Sequence, residues 1–243
     1  MRYLITFSYD GSKFHGFQRQ KDEKSVQKTL EDSLTLLLKK KIEIKGSGRT
    51  DSMVHAFNQC AHFDYNHNLN LFKTKKLLNE LLDKEIIVKK IKKVSNNFHA
   101  RFSVKEKKYC YVINFDKNNV NDKYYFTSYK NLNIKAMEEA AKILTGIHDY
   151  ENFVSGKREN YITYVKKIKI KQRGHYLIFE FIGTSFYRYM VRHLVGALYD
   201  IGRNKMKMDE LKKLVDKSIL KSSSVMPAYG LYLVNIKFNL QNK

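Results

Sequence analysis

Residues 46–56, Gly-Ser-Gly-Arg-Thr-Asp-Ser-Met-Val-His-Ala, set Arg49 and Asp51 two positions apart on a connection rich in small residues. Between two strands such a connection can turn both side chains to one surface, where a carboxylate can act as nucleophile or base on a polar substrate. The same spacing fits an Asx turn in which Asp51 caps its own backbone and pairs with Arg49. Spacing does not choose between the two. A phosphate-cradling loop is excluded, since no Gly-Lys-Ser/Thr follows the glycines. His55, Cys60, His62, Asp64 and His67 lie close in sequence and raise a zinc site, with Cys60, His62 and Asp64 on one strand face. Cys-x-His-x-Asp is not a recurrent ligand spacing and no second cysteine pair follows, so the expectation is no metal, these three forming the polar outer face of a strand. No Gly-x-Ser-x-Gly elbow points to serine hydrolase chemistry.

The elements that must position these residues are mixed α and β. Arg2 to Tyr9 alternates as a strand and ends at the turn dipeptide Asp10-Gly11. Val26, Leu30, Leu34 and Leu37 recur at helical spacing behind Ser25 as N-cap. Ile42 to Lys45 is predicted as a short strand, Phe57 to Tyr65 as an alternating one, Leu77 to Leu82 as part of a helix and Ile86 to Val94 as a strand. Ser103 to Phe115 follows as a long strand with Tyr109, Tyr111, Ile113 and Phe115 on one face. Ile134 to Leu144 carries a helical stripe closed by Gly146 as a C′ residue. Val165 to Arg173 and Tyr176 to Gly183 make a hairpin about Gly174-His175. Tyr187 to Ile201 is predicted as a helix and Leu231 to Phe238 as a closing strand. This order gives an α+β fold of two halves with mostly antiparallel sheets, residues 1–102 and 103–243.

At 243 residues with 43% hydrophobic composition, the chain can bury a core without disulfides or metal. Two cysteines are too few for a secreted disulfide scaffold, and no apolar run approaches a membrane span. Met1 to Asp10 alternates as a strand and not as a signal peptide, so a cytoplasmic protein is expected, without membrane association. The strongest compositional fact is a net charge of +22. Residues 1–102 hold 20 basic against 11 acidic side chains and residues 103–243 hold 26 against 13, so both halves carry the excess. That distribution points to a polyanion-binding surface built from the whole molecule, although a lysine-rich composition drift produces the same count.

Five segments in order resemble the TruA family of tRNA pseudouridine synthases. They are Tyr9-Asp10-Gly11-Ser12-Lys13-Phe14-His15-Gly16-Phe17-Gln18-Arg19-Gln20; Gly48-Arg49-Thr50-Asp51 with Val54-His55-Ala56; Phe98-His99-Ala100-Arg101-Phe102-Ser103 leading to Lys108-Tyr109-Cys110-Tyr111; Phe186-Tyr187-Arg188-Tyr189-Met190-Val191-Arg192; and Gly230-Leu231-Tyr232-Leu233. The resemblance implies the pseudouridine synthase fold, with the two halves meeting at a central basic cleft, and a homodimer. It implies an isomerase acting on uridines at positions 38 to 40 of the tRNA anticodon stem-loop, with no cofactor and no metal.

By the same resemblance Asp51 is the catalytic carboxylate, either nucleophile at the anomeric carbon or base at C2′. Arg49 fills the space left by a flipped-out base. Tyr109 stacks on the uracil and assists removal of the C5 proton, although its place on a strand face equally fits a core tyrosine. Arg192 pairs with the Asp51 carboxylate, a helix over 187–201 turning Arg188 and Arg192 to one side. Two departures stand out. Ser52-Met53 replace the family's Ala-Gly, so Met53 is either strained or in a different turn. Asn79 to Ile86 lacks the family's proline. Two other functions are compatible with the chain: a divergent synthase acting on ribosomal RNA, and a non-catalytic RNA-binding or ribosome-assembly protein. Asp51 separates the last from an enzyme, because a binder gains nothing from a carboxylate facing phosphates.

Overall fold

Strands and capped helices alternate along the chain, and the computed structural model describes residues 1–82, 84–116, 118 and 123–239. In chain order these form β1 (Arg2–Tyr9), α1 (Val26–Leu38), β2 (Lys45–Gly46), β3 (His55–Asp64), α2 (Leu71–Leu81), β4 (Ile86–Val94) and β5 (Val104–Asn114). There follow β6 (Phe126–Thr127), α3 (Ile134–Ile143), β7 (Gly146–Asp149), β8 (Ile162–Arg173), β9 (Tyr176–Gly183), α4 (Met190–Gly202), α5 (Met208–Val215) and β10 (Leu231–Phe238). The chain divides into two units, Met1–Lys105 together with the chain from Tyr232, and Glu106–Leu231. The closing strand, expected in the second half from its place in the sequence, therefore belongs with the first. Tyr232 and Leu233 pair parallel with His55 and Ala56.

In the first unit β1 lies between β3 and β4, antiparallel to both, with Ile5 opposite Ala61 and Ile91. Period-two alternation puts Tyr3, Ile5, Phe7, Ala61 and Phe63 on one buried face. Helices α1 and α2 pack on each other and α2 on β4, burying Leu30, Leu34 and Leu78. Truncating one of these leucines to alanine costs about 2–5 kcal/mol. Helix α1 starts where expected, with Ser25 Oγ accepting the Lys28 N–H at 3.4 Å. The Asn79 side chain exchanges two hydrogen bonds with Val88, at 3.0 and 2.7 Å, fixing α2 to β4. A strand over 42–45 does not form. The N–H groups of Ile42 and Ile44 are taken by Thr35 Oγ1 (3.0 Å) and Glu31 Oε1 (2.9 Å) of α1, so the ladder begins only at Lys45.

In the second unit β9 lies between β5 and β8, antiparallel to both, and β7 pairs with the start of β8. The hairpin turns at Gly174, φ 56°, as its sequence indicates. Tyr109, Tyr111, Ile113, Leu177, Phe179 and Phe181 form the buried face. Helix α3 packs on α4, α5 and β8. Two expected boundaries move. Helix α3 is capped by Leu144, and Gly146 opens β7 with φ 133°, where a Cβ would stand 2.9 Å from His148 Nε2. Helix α4 begins at Met190 because Tyr189 takes a left-handed φ of 61°. Arg188 thus precedes the helix, and the i,i+4 face expected for Arg188 and Arg192 does not exist.

Candidate active site

The loop between β2 and β3 is held at nearly every residue. Ser47 N–H donates to Cys60 O (2.8 Å), and Gln59 Nε2 donates to Gly48 O (3.0 Å). The Thr50 carbonyl accepts from Phe17 N–H (3.0 Å), its Oγ1 lies 2.8 Å from the buried Tyr9 hydroxyl, and Val54 N–H donates to Asp51 O (3.2 Å). Burial pushes the Tyr9 hydroxyl up to about 12, which keeps this bond between neutral groups. The segment after β1 closes over the loop, and this approach requires glycine. A Cβ on Gly11 would meet Val54 O at 2.2 Å, and Gly16, with φ 90°, passes the Thr50 carbonyl. On this frame Asp51 is half-buried and Arg49 exposed. Met53 keeps φ 67°, so the turn retains a glycine-type conformation with a methionine in it.

Residues to which the sequence assigned no role in the site support this loop. His55 Nδ1 accepts the Gly11 N–H at 3.1 Å and lies 3.2 Å from Asp10 Oδ1. Its ring stacks on Tyr232 (4.8 Å, 20°), which stacks on Phe57 (5.2 Å, 10°). Only pairing of β10 with β3 brings Tyr232 there, across a sequence separation that no local pattern reports. Tyr9 and Thr50 were legible as parts of motifs, but not as a bonded pair.

In the second unit, Tyr109 is 6% exposed and meets Phe186 edge to face (5.3 Å, 76°). Arg192, on the first turn of α4, donates from Nε to Met226 O at 2.6 Å. Its guanidinium lies 4.5 Å from the Tyr189 ring centroid, and that of Arg188 lies 5.0 Å from the same ring. Beneath them His193 is buried between Ser155 and Ser223, and burial lowers its basicity. Tyr111, two residues from Tyr109 on the same face, donates to Pro227 O (2.9 Å). The first unit therefore carries Arg49 and Asp51 on its loop, and the second carries Arg192 on α4 and a buried Tyr109 on β5.

Among the described residues no group of three or more His, Cys, Asp or Glu is placed to hold a metal ion. The outer-face reading of Cys60 and His62 is corrected: they are 4% and 3% exposed. His62 Nδ1 accepts the Ala100 N–H at 3.0 Å, because the 98–103 segment covers this face of β3. Burial pushes His62 down to about 4. Asp64 stays exposed and pairs with Arg2 at 2.8 Å. No helix among the described residues is long and apolar enough to cross a membrane.

Two α+β units, one carrying an Arg-x-Asp loop pinned from both sides, define the class of protein. A model of the family described as tRNA pseudouridine synthase matches residues 5–103 and 140–239, and the chain belongs to this family of isomerases. The protein named tRNA pseudouridine synthase A of Mycoplasmoides gallisepticum is 37% identical over 242 residues, covering 97% of this chain and 90% of that one. Proteins of the same name from Borreliella afzelii (38% over 247 residues, 97% and 98% covered) and Limosilactobacillus reuteri (35% over 258 residues, 100% and 98% covered) are similarly close.

Proposed function

We propose that this chain converts uridines at positions 38 to 40 of the tRNA anticodon stem-loop to pseudouridine, with Asp51 as the catalytic carboxylate. The observation that carries the reading is the placement of Asp51: half-buried, beside an exposed arginine, on a loop whose neighbouring residues are fixed by Tyr9, Phe17 and Gln59. Catalysis on ribose needs a carboxylate held to within a fraction of an ångström, and such a frame supplies that. The glycosidic bond from N1 to C1′ breaks, the uracil turns while held, a bond from C5 to C1′ forms, and the C5 proton leaves. Asp51 either attacks C1′ and is displaced when C5 bonds there, or removes the C2′ proton and returns it after that bond forms; N1 gains a proton as C5 loses one.

The target base must leave the stack, at a cost of a few kcal/mol. Arg49 fills the vacated space, the Tyr109 ring meets the uracil, and Arg192, whose Nε donates to Met226 O, is assigned as the partner of the carboxylate. In this reading two copies form the active homodimer in the cytoplasm, and the carboxylate route needs neither cofactor nor metal. Asp51→Asn tests the assignment. Single-turnover conversion falls on the order of 10⁴-fold with tRNA affinity nearly unchanged. Retention of more than about a tenth of the rate, far above that loss, removes Asp51 from the chemistry.

A further inference from the structure

The segment 95–103, which joins β4 to β5 in the first unit, carries Phe98-His99-Ala100-Arg101-Phe102, a run that the proposed chemistry leaves unused. Its backbone is clamped. Arg2 Nη1 donates to Asn96 O (2.7 Å) and Phe98 O (2.8 Å), Ala100 N–H donates to His62 Nδ1 (3.0 Å), and Asn239 N–H donates to Ser103 O (3.0 Å). Phe98 points inward, against Phe238. Phe102 points outward and is 76% exposed, yet its ring is placed: it stacks on His99 at 4.3 Å and 29°, and His99 meets His62 at 4.7 Å. The Arg101 guanidinium stands 5.8 Å from the Phe102 centroid. Burial together with the cations Arg2, Arg101 and Lys45 lowers the basicity of His99.

An aromatic ring stacked on one neighbour, largely exposed and accompanied by a guanidinium is complementary to a ligand with a flat π face and a negative charge, which is a nucleotide. We propose that Phe102 and Arg101 form a second RNA contact, the ring stacking on an unpaired base of the bound tRNA and the guanidinium meeting its phosphate. The inference rests on the reading of the substrate as tRNA modified in the anticodon stem-loop. His62, under the platform, is seven residues along β3 from His55, which follows the catalytic loop, so the two places are about 23 Å apart along the strand. The paired stem offers no free base face at that range. The base is assigned to the part of the tRNA beyond the stem-loop, so the isolated stem-loop serves as the control.

The experiment measures dissociation constants of the whole protein for whole tRNA and for the isolated anticodon stem-loop at one salt concentration. Phe102→Ala is expected to weaken whole-tRNA binding about 5- to 100-fold, with Phe102→Tyr retaining it and stem-loop affinity unchanged. Unchanged whole-tRNA affinity, or equal losses on both RNAs, overturns the proposal. A smaller sedimenting species for Phe102→Ala also overturns it, because a second copy of the chain would then cover the ring. Failure of the unaltered protein to form pseudouridine at positions 38 to 40 of whole tRNA sinks the parent reading instead, and is seen without any variant.

Discussion

The Tyr9 hydroxyl and Thr50 Oγ1 lie 2.8 Å apart in the interior of the first unit, so the central strand holds the residue next to Asp51 by a buried hydrogen bond. Removing the hydroxyl leaves the buried Thr50 side chain without this partner. Tyr9→Phe is expected to lower stability by about 1–2 kcal/mol. Its single-turnover rate should fall roughly 10-fold as the carboxylate loses its placement, with tRNA affinity unchanged. Denaturant midpoints and rapid-quench kinetics on the same preparation check both. A full rate with reduced stability would show that Asp51 is positioned without Thr50.

Met53 holds φ 67°, which costs an L-residue roughly 1–2 kcal/mol and a glycine nothing, against the extra entropy that a glycine loses on folding. Met53→Gly is therefore expected to stabilise the protein by up to about 1 kcal/mol, and Met53→Ala to give no such gain. Urea unfolding of the three proteins decides it. Equal stability of the glycine and alanine variants would mean that the turn relaxes.

His62 has its pKa depressed to about 4 from the usual 6.5, chiefly by burial and then by Arg2. Its unfolded form binds a proton that the folded form refuses. Stability is therefore complete above about pH 6.5 and declines as pH falls towards 4, and His99 and His193, shifted the same way, add to the slope. His62→Gln, whose side-chain oxygen can still accept the Ala100 N–H, should flatten the decline. Unfolding free energies between pH 4 and 7 provide the check, and an unchanged slope would place His62 in contact with water.

Tyr109 is expected to divide two roles. Tyr109→Phe keeps the ring, so RNA binds normally and glycosidic cleavage proceeds, but release of tritium from 5-tritiated uridine slows. Tyr109→Leu also loses a stacking contact of about 1–3 kcal/mol. Wild-type release from both variants would make Tyr109 a core residue.

Much of this protein was legible in its sequence because local physics decided it. Period-two alternation marked Arg2 to Tyr9 and the Gly174 hairpin, and Ser25 followed by leucines at helical spacing marked α1. The motif containing Arg49 and Asp51 could be read residue by residue, since a loop's chemistry sits in consecutive side chains. Tertiary structure decided what depends on partners distant in the chain. Residues 42–45 failed as a strand because α1 side chains took their N–H groups. Helix α4 started late because Tyr189 adopted a left-handed backbone. His62 became interior because a segment nearly forty residues downstream covered it on β3. The last strand joined the first unit through its pairing with His55 and Ala56. Alternation reports which side chains share a face; which face is covered, and by what, is set by the packing free energy of the whole chain.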